Sequence, residues 1–333
     1  MTLRTVTLSP GLDHRVHVDH IDPGAVGGIL SWTVVAGGKG VNVARVAHRF
    51  GLASVAYSLV GQHDEQEVVA RMQEAGPRAV AVAVPGTTRR NLTLTVDSFD
   101  GPASHAMGPR LSTARDQDAE RLLAQLLEDV EPGDVVSFNG AVPYPIRASI
   151  WAEAAVEAHA LGAVVIADAQ GDALVSLVRS GVVTMAKPNE EEARILNRDQ
   201  AGPRPVEPDV EPMTPARELA ATTAIRAMLD QGVATPVVSL GAHGVVCGGD
   251  GGMTQVWCEI ARPEVHVGAG DAFVAGYCVG MFASRWEGAS PVDVGVAVAA
   301  GHVAGLTDDE HVAAVTDLLA AVRRRSLPGG GAT

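Results

Sequence analysis

Lysine is nearly missing from this 333-residue sequence: Lys39 and Lys187 are the only two, and the rest of its 25 lysine-plus-arginine total is arginine. A chain that so strongly prefers the planar guanidinium keeps lysine where a compact ammonium is wanted, and both lysines fall inside glycine- or proline-marked motifs. Asparagine is scarce in the same way, and four of its five positions, Asn42, Asn91, Asn139 and Asn189, return below as candidate site residues. Cysteine is limited to Cys247, Cys258 and Cys278. An odd number without CxxC spacing points to neither a disulfide framework nor a zinc site, and predicts reduced, mostly buried thiols. No apolar run approaches the ~18 residues of a membrane span. The opening MTLRTVTLSP has neither the apolar core nor the cleavage site of a signal peptide, so a cytoplasmic location and no membrane partner are expected. Positive charge is also in deficit. A formal net charge of −14 argues against a nucleic-acid partner and requires any anionic substrate to meet a locally positive pocket.

What is present suffices for one large core, since 47% of the residues are apolar. Short apolar runs read as strands at Thr5–Leu8, Ala53–Leu59, Ala79–Val84, Asp134–Phe138, Ala163–Ala167, Val182–Met185 and Pro236–Leu240. Helical spacing lies between them, at Val41–Phe50, Glu65–Glu74, Asp116–Asp129 and Pro145–Ala160. The alternation predicts an α/β fold, a three-layer α/β/α sandwich around a mainly parallel sheet.

Two stretches, 15–32 and 89–107, break the rhythm and read as β-structure with one wet face. In the second, the alternating NLTLTV precedes an Asp100-Gly101 turn. Together they predict a small β-sheet lid, inserted at about 14–36 and 88–108 into one domain spanning 1–325. The prolines at 203, 205, 208, 212 and 215 mark a surface insertion. The end, RRRSLPGGGAT, reads as frayed, with 326–333 a disordered tail.

Val267-Gly268-Ala269-Gly270-Asp271 opens a buried helical pattern, AFVAGYCVGMF. The first amides of a helix lack intrahelical partners and the dipole favours negative charge, so this segment can cradle an anion. Asp271 beside such a cradle can accept a hydroxyl proton while the amides of Gly268, Ala269 and Gly270 stabilise a phosphoryl group in transfer. An Asp at that place can equally cap its helix. The second constellation is Ala36-Gly37-Gly38-Lys39-Gly40-Val41-Asn42, where glycines permit close backbone approach to a substrate, Lys39 can hold a phosphate and Asn42 can bond hydroxyls. A flexible loop with a solvated Lys39 is the plainer reading. The spacing is not that of a Walker A loop, no protein-kinase loop is present, and no dinucleotide fingerprint follows the first strand.

The segments AGGKGVNVARVAHRFG and VGAGDAFVAGY resemble the two signatures of the PfkB group of ribokinase-like sugar kinases. The likeness extends through Ser9-Pro10-Gly11-Leu12-Asp13, Thr88-Arg89-Arg90-Asn91, Lys187-Pro188-Asn189-Glu190-Glu191-Glu192 and Val238-Ser239-Leu240-Gly241-Ala242-His243-Gly244. Within the group it is most similar to the 1-phosphofructokinase and tagatose-6-phosphate kinase members. The resemblance implies ATP-dependent phosphorylation of a sugar hydroxyl, on a ketohexose that already bears a phosphate, with ATP and Mg²⁺ as cofactors. It implies Asp271 as the base and Gly268, Ala269 and Gly270 as the anion hole. It assigns Asp13, Gly37, Gly38, Asn42, Asn91 and Asn139 to the sugar, and Lys39 and Arg89 to its phosphate. Lys187, Asn189, Glu192, Ser239, Gly241 and Gly244 fall on the nucleotide side, with Glu192 reaching the metal through water. Pairing of two copies through the lid is a further expectation.

The chain departs from the group's pattern on the sugar side. Asn139-Gly140-Ala141-Val142-Pro143 stands where Ser-Gly-Ser-Leu-Pro is usual, Asp168-Ala169-Gln170-Gly171 lacks the small hydroxyl residues expected there, and His266 replaces a Thr. These changes open the identity of the sugar. Two alternatives stay open: a kinase of an unphosphorylated sugar or nucleoside, for which Lys39 and Arg89 would be dispensable, and a non-catalytic sugar- or nucleotide-binding regulator on a kinase scaffold.

Overall fold

A computed structural model describes residues 1–21, 28–74, 76–98, 104–111, 113–196, 213–249, 251–265, 267–282, 286 and 288–327. Its main sheet holds ten strands, in the order β14-β13-β12-β11-β10-β9-β8-β1-β4-β5. From one edge, β5 (Arg78–Val84), β4 (Ser54–Gly61), β1 (Leu3–Thr7), β8 (Val135–Gly140), β9 (Val164–Ala169), β10 (Met185–Ala186) and β11 (Thr235–Ser239) run parallel. Three antiparallel strands complete the other edge: β12 (Val245–Gly249), β13 (Gly252–Trp257) and β14 (Arg323–Ser326).

The parallel strands are buried on both faces, which is why they read as continuous apolar runs. One face packs on α3 (Asp116–Asp129), α4 (Ile150–Ala160), α5 (Gly171–Arg179) and α7 (Pro215–Leu229), around Phe138, Trp151, Leu122 and Ile225. The other packs on α1 (Lys39–Arg49), α8 (Ala269–Phe282), α9 (Pro291–Val303) and α10 (Asp308–Ala321), around Val43, Phe273, Val274 and Val298. Helices α2 (Glu65–Gln73) and the short α6 (Glu190–Ala193) complete the set among the described residues. Helices α8 and α9 lie close because glycines line their contact: a Cβ at Gly276 would stand 2.7 Å from Val298 Cβ, and one at Gly280 3.0 Å from Pro291 Cα. Such proximity seats the middle and the last turn of α8 directly on α9.

The second sheet has the order β3-β2-β6-β7, from β2 (Gly11–Val18), β3 (Ile29–Gly37), β6 (Arg89–Val96) and β7 (Ser104–Ala106). It leaves the main sheet directly after β1. Leu12, Ala36 and Val41 join it to Val60, Val68 and Met72 in a small core of their own. The expected Asp100-Gly101 turn, the 201–212 stretch and residues 328–333 lie outside the described residues.

Three expectations need correction. The helix expected from Pro145 begins at Ile150 with Ser149 before it, because Ile146 N–H turns back onto Pro143 O (2.9 Å) and neither Pro143 nor Pro145 can donate. The strand expected at Val182–Met185 reduces to Met185–Ala186. Arg323–Ser326, part of the segment read as frayed, instead forms β14. Arg323 pairs with Glu259, Arg324 with Asp293 and Arg325 with Glu218, and Leu327 is buried beyond it with its N–H on Met253 O at 2.9 Å.

Candidate active site

In a parallel α/β sheet, ligands bind outside the carboxyl ends of the strands. Here those ends deliver Asn139 and Gly140 from β8, Asp168 from β9, Ser239 from β11, and Lys187 just beyond β10. Helix α1 starts on Gly38, whose φ of +121° is open to glycine and strained for other residues, and it brings Lys39 and Asn42 to the same place. Gly40 fits under the strand ends by donating its N–H to Thr7 Oγ1 at 2.9 Å.

The centre is a buried charge cluster. Lys39 Nζ lies 3.3 Å from Asp168 Oδ1 and 3.2 Å from Glu192 Oε1, and Lys187 Nζ lies 3.1 Å from the same Asp168 oxygen. Asp168 is fully buried and its second oxygen, Oδ2, has no hydrogen-bond partner. Burial works against the Lys39 ammonium, but Asp168, Glu192 and Asp271 outweigh it and hold its pKa above the ordinary lysine value. Lys187 leans on the start of α8, since a Cβ at Gly270 would stand 3.1 Å from its Nζ.

Asp271 occupies the first turn of α8 and is buried, with Asn42 Nδ2 donating to its Oδ2 at 2.8 Å. Burial and the Asp168 carboxylate push the Asp271 carboxyl up to about 6, against the opposing pull of Lys39, Asn42 and Lys187. Among the described residues, the first α8 amide bonded to a carbonyl is that of Ala272, which reaches Gly268 O at 2.9 Å. The amides of Ala269, Gly270 and Asp271 precede it with no carbonyl partner among the described residues, so an anion there meets helix-opening donors beside a carboxylate of basic strength.

The sugar-side candidates gather where the small sheet meets α1. Asn91 Nδ2 donates to Asp13 Oδ1 at 2.6 Å, and Gly37 faces the Asp13 carboxylate so closely that any Cβ would collide with it. Arg89 donates from Nε to Pro10 O at 3.2 Å. Its pKa is lowered by burial first and then by the neighbouring Arg110. Arg45 is held by Ala36 O and by Asn42 Oδ1. Asn139 is fully buried, donates to Ser137 Oγ at 2.9 Å, and has no partner for its Oδ1.

On the other side, Asn189 and Glu192 cap α6 reciprocally: Glu192 N–H reaches Asn189 Oδ1 at 2.7 Å and Asn189 N–H reaches Glu192 Oε2 at 2.9 Å. Glu192 thereby joins this cap to Lys39, and Gln170 Nε2 adds a bond at 2.8 Å. The segment is stitched to β11 through Ser239 N–H on Pro188 O at 3.0 Å. Gly241 (φ +56°) and Gly244 (φ +75°) shape the β11–β12 connection, and a Cβ at Gly244 would strike Val256 and Trp257. Gly244 therefore has a packing reason of its own.

Residues 16–305 match the family described as pfkB family carbohydrate kinase. The chain belongs to the PfkB family. It is an ATP-dependent carbohydrate kinase of the ribokinase-like fold. Among curated relatives of this PfkB chain is a 1-phosphofructokinase of Xanthomonas campestris, 30% identical over 292 residues, covering 85% of each chain. A second, from Bacillus subtilis, is 27% identical over 283 residues, covering 83% of this chain and 84% of that one. Escherichia coli phosphofructokinase-2 in complex with fructose-6-phosphate shares the fold, with a TM-score of 0.78 at 24% identity over 95% of this chain and 99% of that one.

Asp168, Gln170, Arg45 and Arg110 belong to this neighbourhood and were not singled out from the sequence as site residues. For Asp168 a signal existed, as a carboxylate placed at the carboxyl end of a strand.

Proposed function

We propose that this kinase transfers the γ-phosphoryl group of ATP to a hydroxyl of a phosphorylated ketohexose, as the 1-phosphofructokinase name of its relatives suggests. The observation that carries the reading is the buried Asp271 carboxylate, held by Asn42 at 2.8 Å beside the amides that open α8, which have no carbonyl partner among the described residues. Asp271 takes the proton of the attacking hydroxyl, and the amides of Gly268, Ala269 and Gly270 receive the negative charge on the migrating group. Lys39 and Lys187 sit within the cluster to balance the phosphate oxygens. Asp13, Asn42, Asn91 and Asn139 orient the sugar, Gly37 lets the Asp13 carboxylate close against the backbone beside it, Gly38 turns the chain into α1, and Arg89 meets the sugar's phosphate as a bidentate fork. Asn189, Glu192, Ser239, Gly241 and Gly244 line the nucleotide side.

The donor set fits Mg²⁺ in one manner. Glu192 has both oxygens engaged, and no group of three or more metal-ligating side chains occurs among the described residues. Such a site suits an ion carried chiefly by the ATP phosphates, with Glu192 reaching it through water; bound there, Mg²⁺ would supply charge neutralisation. The second sheet acts as a lid over the sugar and keeps water from competing for the phosphoryl group. Its outer face exposes Ile29, Leu30 and Trp32, beside a hollow lined by His14, Val16, Arg90 and Leu92, and supports pairing of two copies. No described helix is long and apolar enough to cross a membrane.

The test is ADP release from ATP with a panel of sugar phosphates and free sugars, for the wild type and Asp271→Asn. Turnover is expected with a ketohexose phosphate, and Asp271→Asn should lose about 10²- to 10⁴-fold in kcat while still binding ATP. An undiminished Asp271→Asn enzyme sinks the mechanism.

A further inference from the structure

His302 stands in the last turn of α9 and is absent from every motif considered so far. Its Nε2 lies 2.9 Å from the carbonyl oxygen of Val267. The ring also lies against the next residue, since a Cβ at Gly268 would be 3.0 Å from Nε2 and 3.4 Å from Cε1. The end of α9 secures the strand-like approach to the loop at two further points, with Glu264 and Val265 both donating their N–H to Val303 O, at 2.8 and 3.1 Å. Of these three tethers, only that of His302 depends on a side chain.

The tether matters because of where it falls. In a trans peptide the C=O and the following N–H point in opposite directions. A Val267 oxygen drawn towards α9 therefore turns the Gly268 N–H the other way, away from that helix. Gly268 has φ +95°, a region in which glycine moves freely, and Val267 is 66% exposed, so packing on Val267 contributes little to holding this peptide plane. Helix α9 is by contrast rigidly seated on α8 through their glycine-lined contact.

We propose that His302 is a positioning residue for phosphoryl transfer: by donating to Val267 O it locks the Val267–Gly268 peptide in the orientation that presents the Gly268 N–H to the transferring phosphoryl group. The bond requires the proton on Nε2, the ring nitrogen that faces Val267 O. The inference rests on the assignment of Asp271 and its loop as the transfer centre.

The experiment compares steady-state ADP release by the wild type, His302→Leu, His302→Gln and Asp271→Asn, with thermal midpoints measured alongside. His302→Leu should lose about 10- to 100-fold in kcat, with the sugar KM almost unchanged. His302→Gln, which keeps an N–H donor at the same distance along the side chain, should recover most of that loss. Should the leucine variant fail to fold, His302→Asn, whose amide is too short to reach Val267, takes its place. The proposal is overturned if the donor-free variant turns over at the wild-type rate, if it changes KM and leaves kcat alone, or if Gln and Leu fall equally. These failures are separable from failure of the parent reading, which shows as an active Asp271→Asn enzyme and takes this proposal with it.

Discussion

Asn42 and Asp271 come from the first turns of two different helices, α1 and α8, and meet side chain to side chain at 2.8 Å. The bond favours the ionised carboxylate, whereas burial and Asp168 oppose it more strongly and leave the carboxyl near 6. A base acts only when deprotonated, so kcat/KM should fall as pH drops through about 6 and be flat above it. Asn42→Leu removes one stabilising donor and should move that acid limb to higher pH. A rate profile whose limb stays near pH 4, or does not respond to Asn42→Leu, would contradict the role given to Asp271. The stability sign is opposite to that of an ordinary ion-paired Asp. Because the folded pKa is raised above 3.8, ionising Asp271 costs stability as pH rises from about 4 to about 6.

Lys39, Asn42 and Asp271 were legible in the sequence because each sits in a short glycine-marked segment that opens a helix, where chain order and spatial order coincide. His302 was not, because its importance is created by Val267, 35 positions away in the chain, and Asp168 carried only the signal of its place at a strand's carboxyl end, its two lysine partners being supplied by α1 and by the segment after β10. The parallel strands were legible as apolar runs, since both faces are covered. Strands β12 to β14 were not. VVCGG and RRRS carry no apolar alternation, and β14 depends on Glu259, Asp293 and Glu218 to receive its three arginines.

Gly37 gives a test of the sugar side that leaves the transfer centre untouched. A Cβ at this position would overlap the Asp13 carboxylate, which Asn91 holds from the other side at 2.6 Å. Gly37→Ala must therefore displace Asp13. Losing a hydrogen bond to a charged group is worth about 1.5–3 kcal/mol, so the sugar KM should rise roughly 10- to 100-fold while the ATP KM stays constant. Equal changes in both constants would indicate general damage.

Arg89 distinguishes a phosphorylated from an unphosphorylated substrate. Its guanidinium is half-buried beside Arg110, an arrangement that an incoming phosphate would relieve. Arg89→Leu should raise the KM for a sugar phosphate by about 10- to 100-fold without changing the ATP KM. If the true acceptor is a free sugar or a nucleoside, the same variant should be nearly silent, and the substrate assignment would have to be withdrawn.

His311 supplies a stability test remote from the chemistry. It is fully buried on α10, with Nε2 2.8 Å from Val298 O, Nδ1 3.4 Å from Arg49 Nη1, and its ring edge-on to Phe50 at 5.1 Å. Burial, reinforced by the Arg49 and His302 charges and resisted by Val298 and Asp308, pushes it down to about 4 from an ordinary 6.5. The folded protein thus prefers the neutral ring. Its contribution is fully present above pH 6.5 and is lost as pH falls from there towards 4, on the order of 3 kcal/mol in all. Asp271 acts in the reverse direction over an overlapping window, so the wild-type curve alone mixes the two. The difference between the wild type and His311→Leu in urea unfolding isolates the imidazole: the leucine variant should gain on the wild type steadily between pH 6.5 and 4, and a constant difference would show that the ring is protonated in place at no cost.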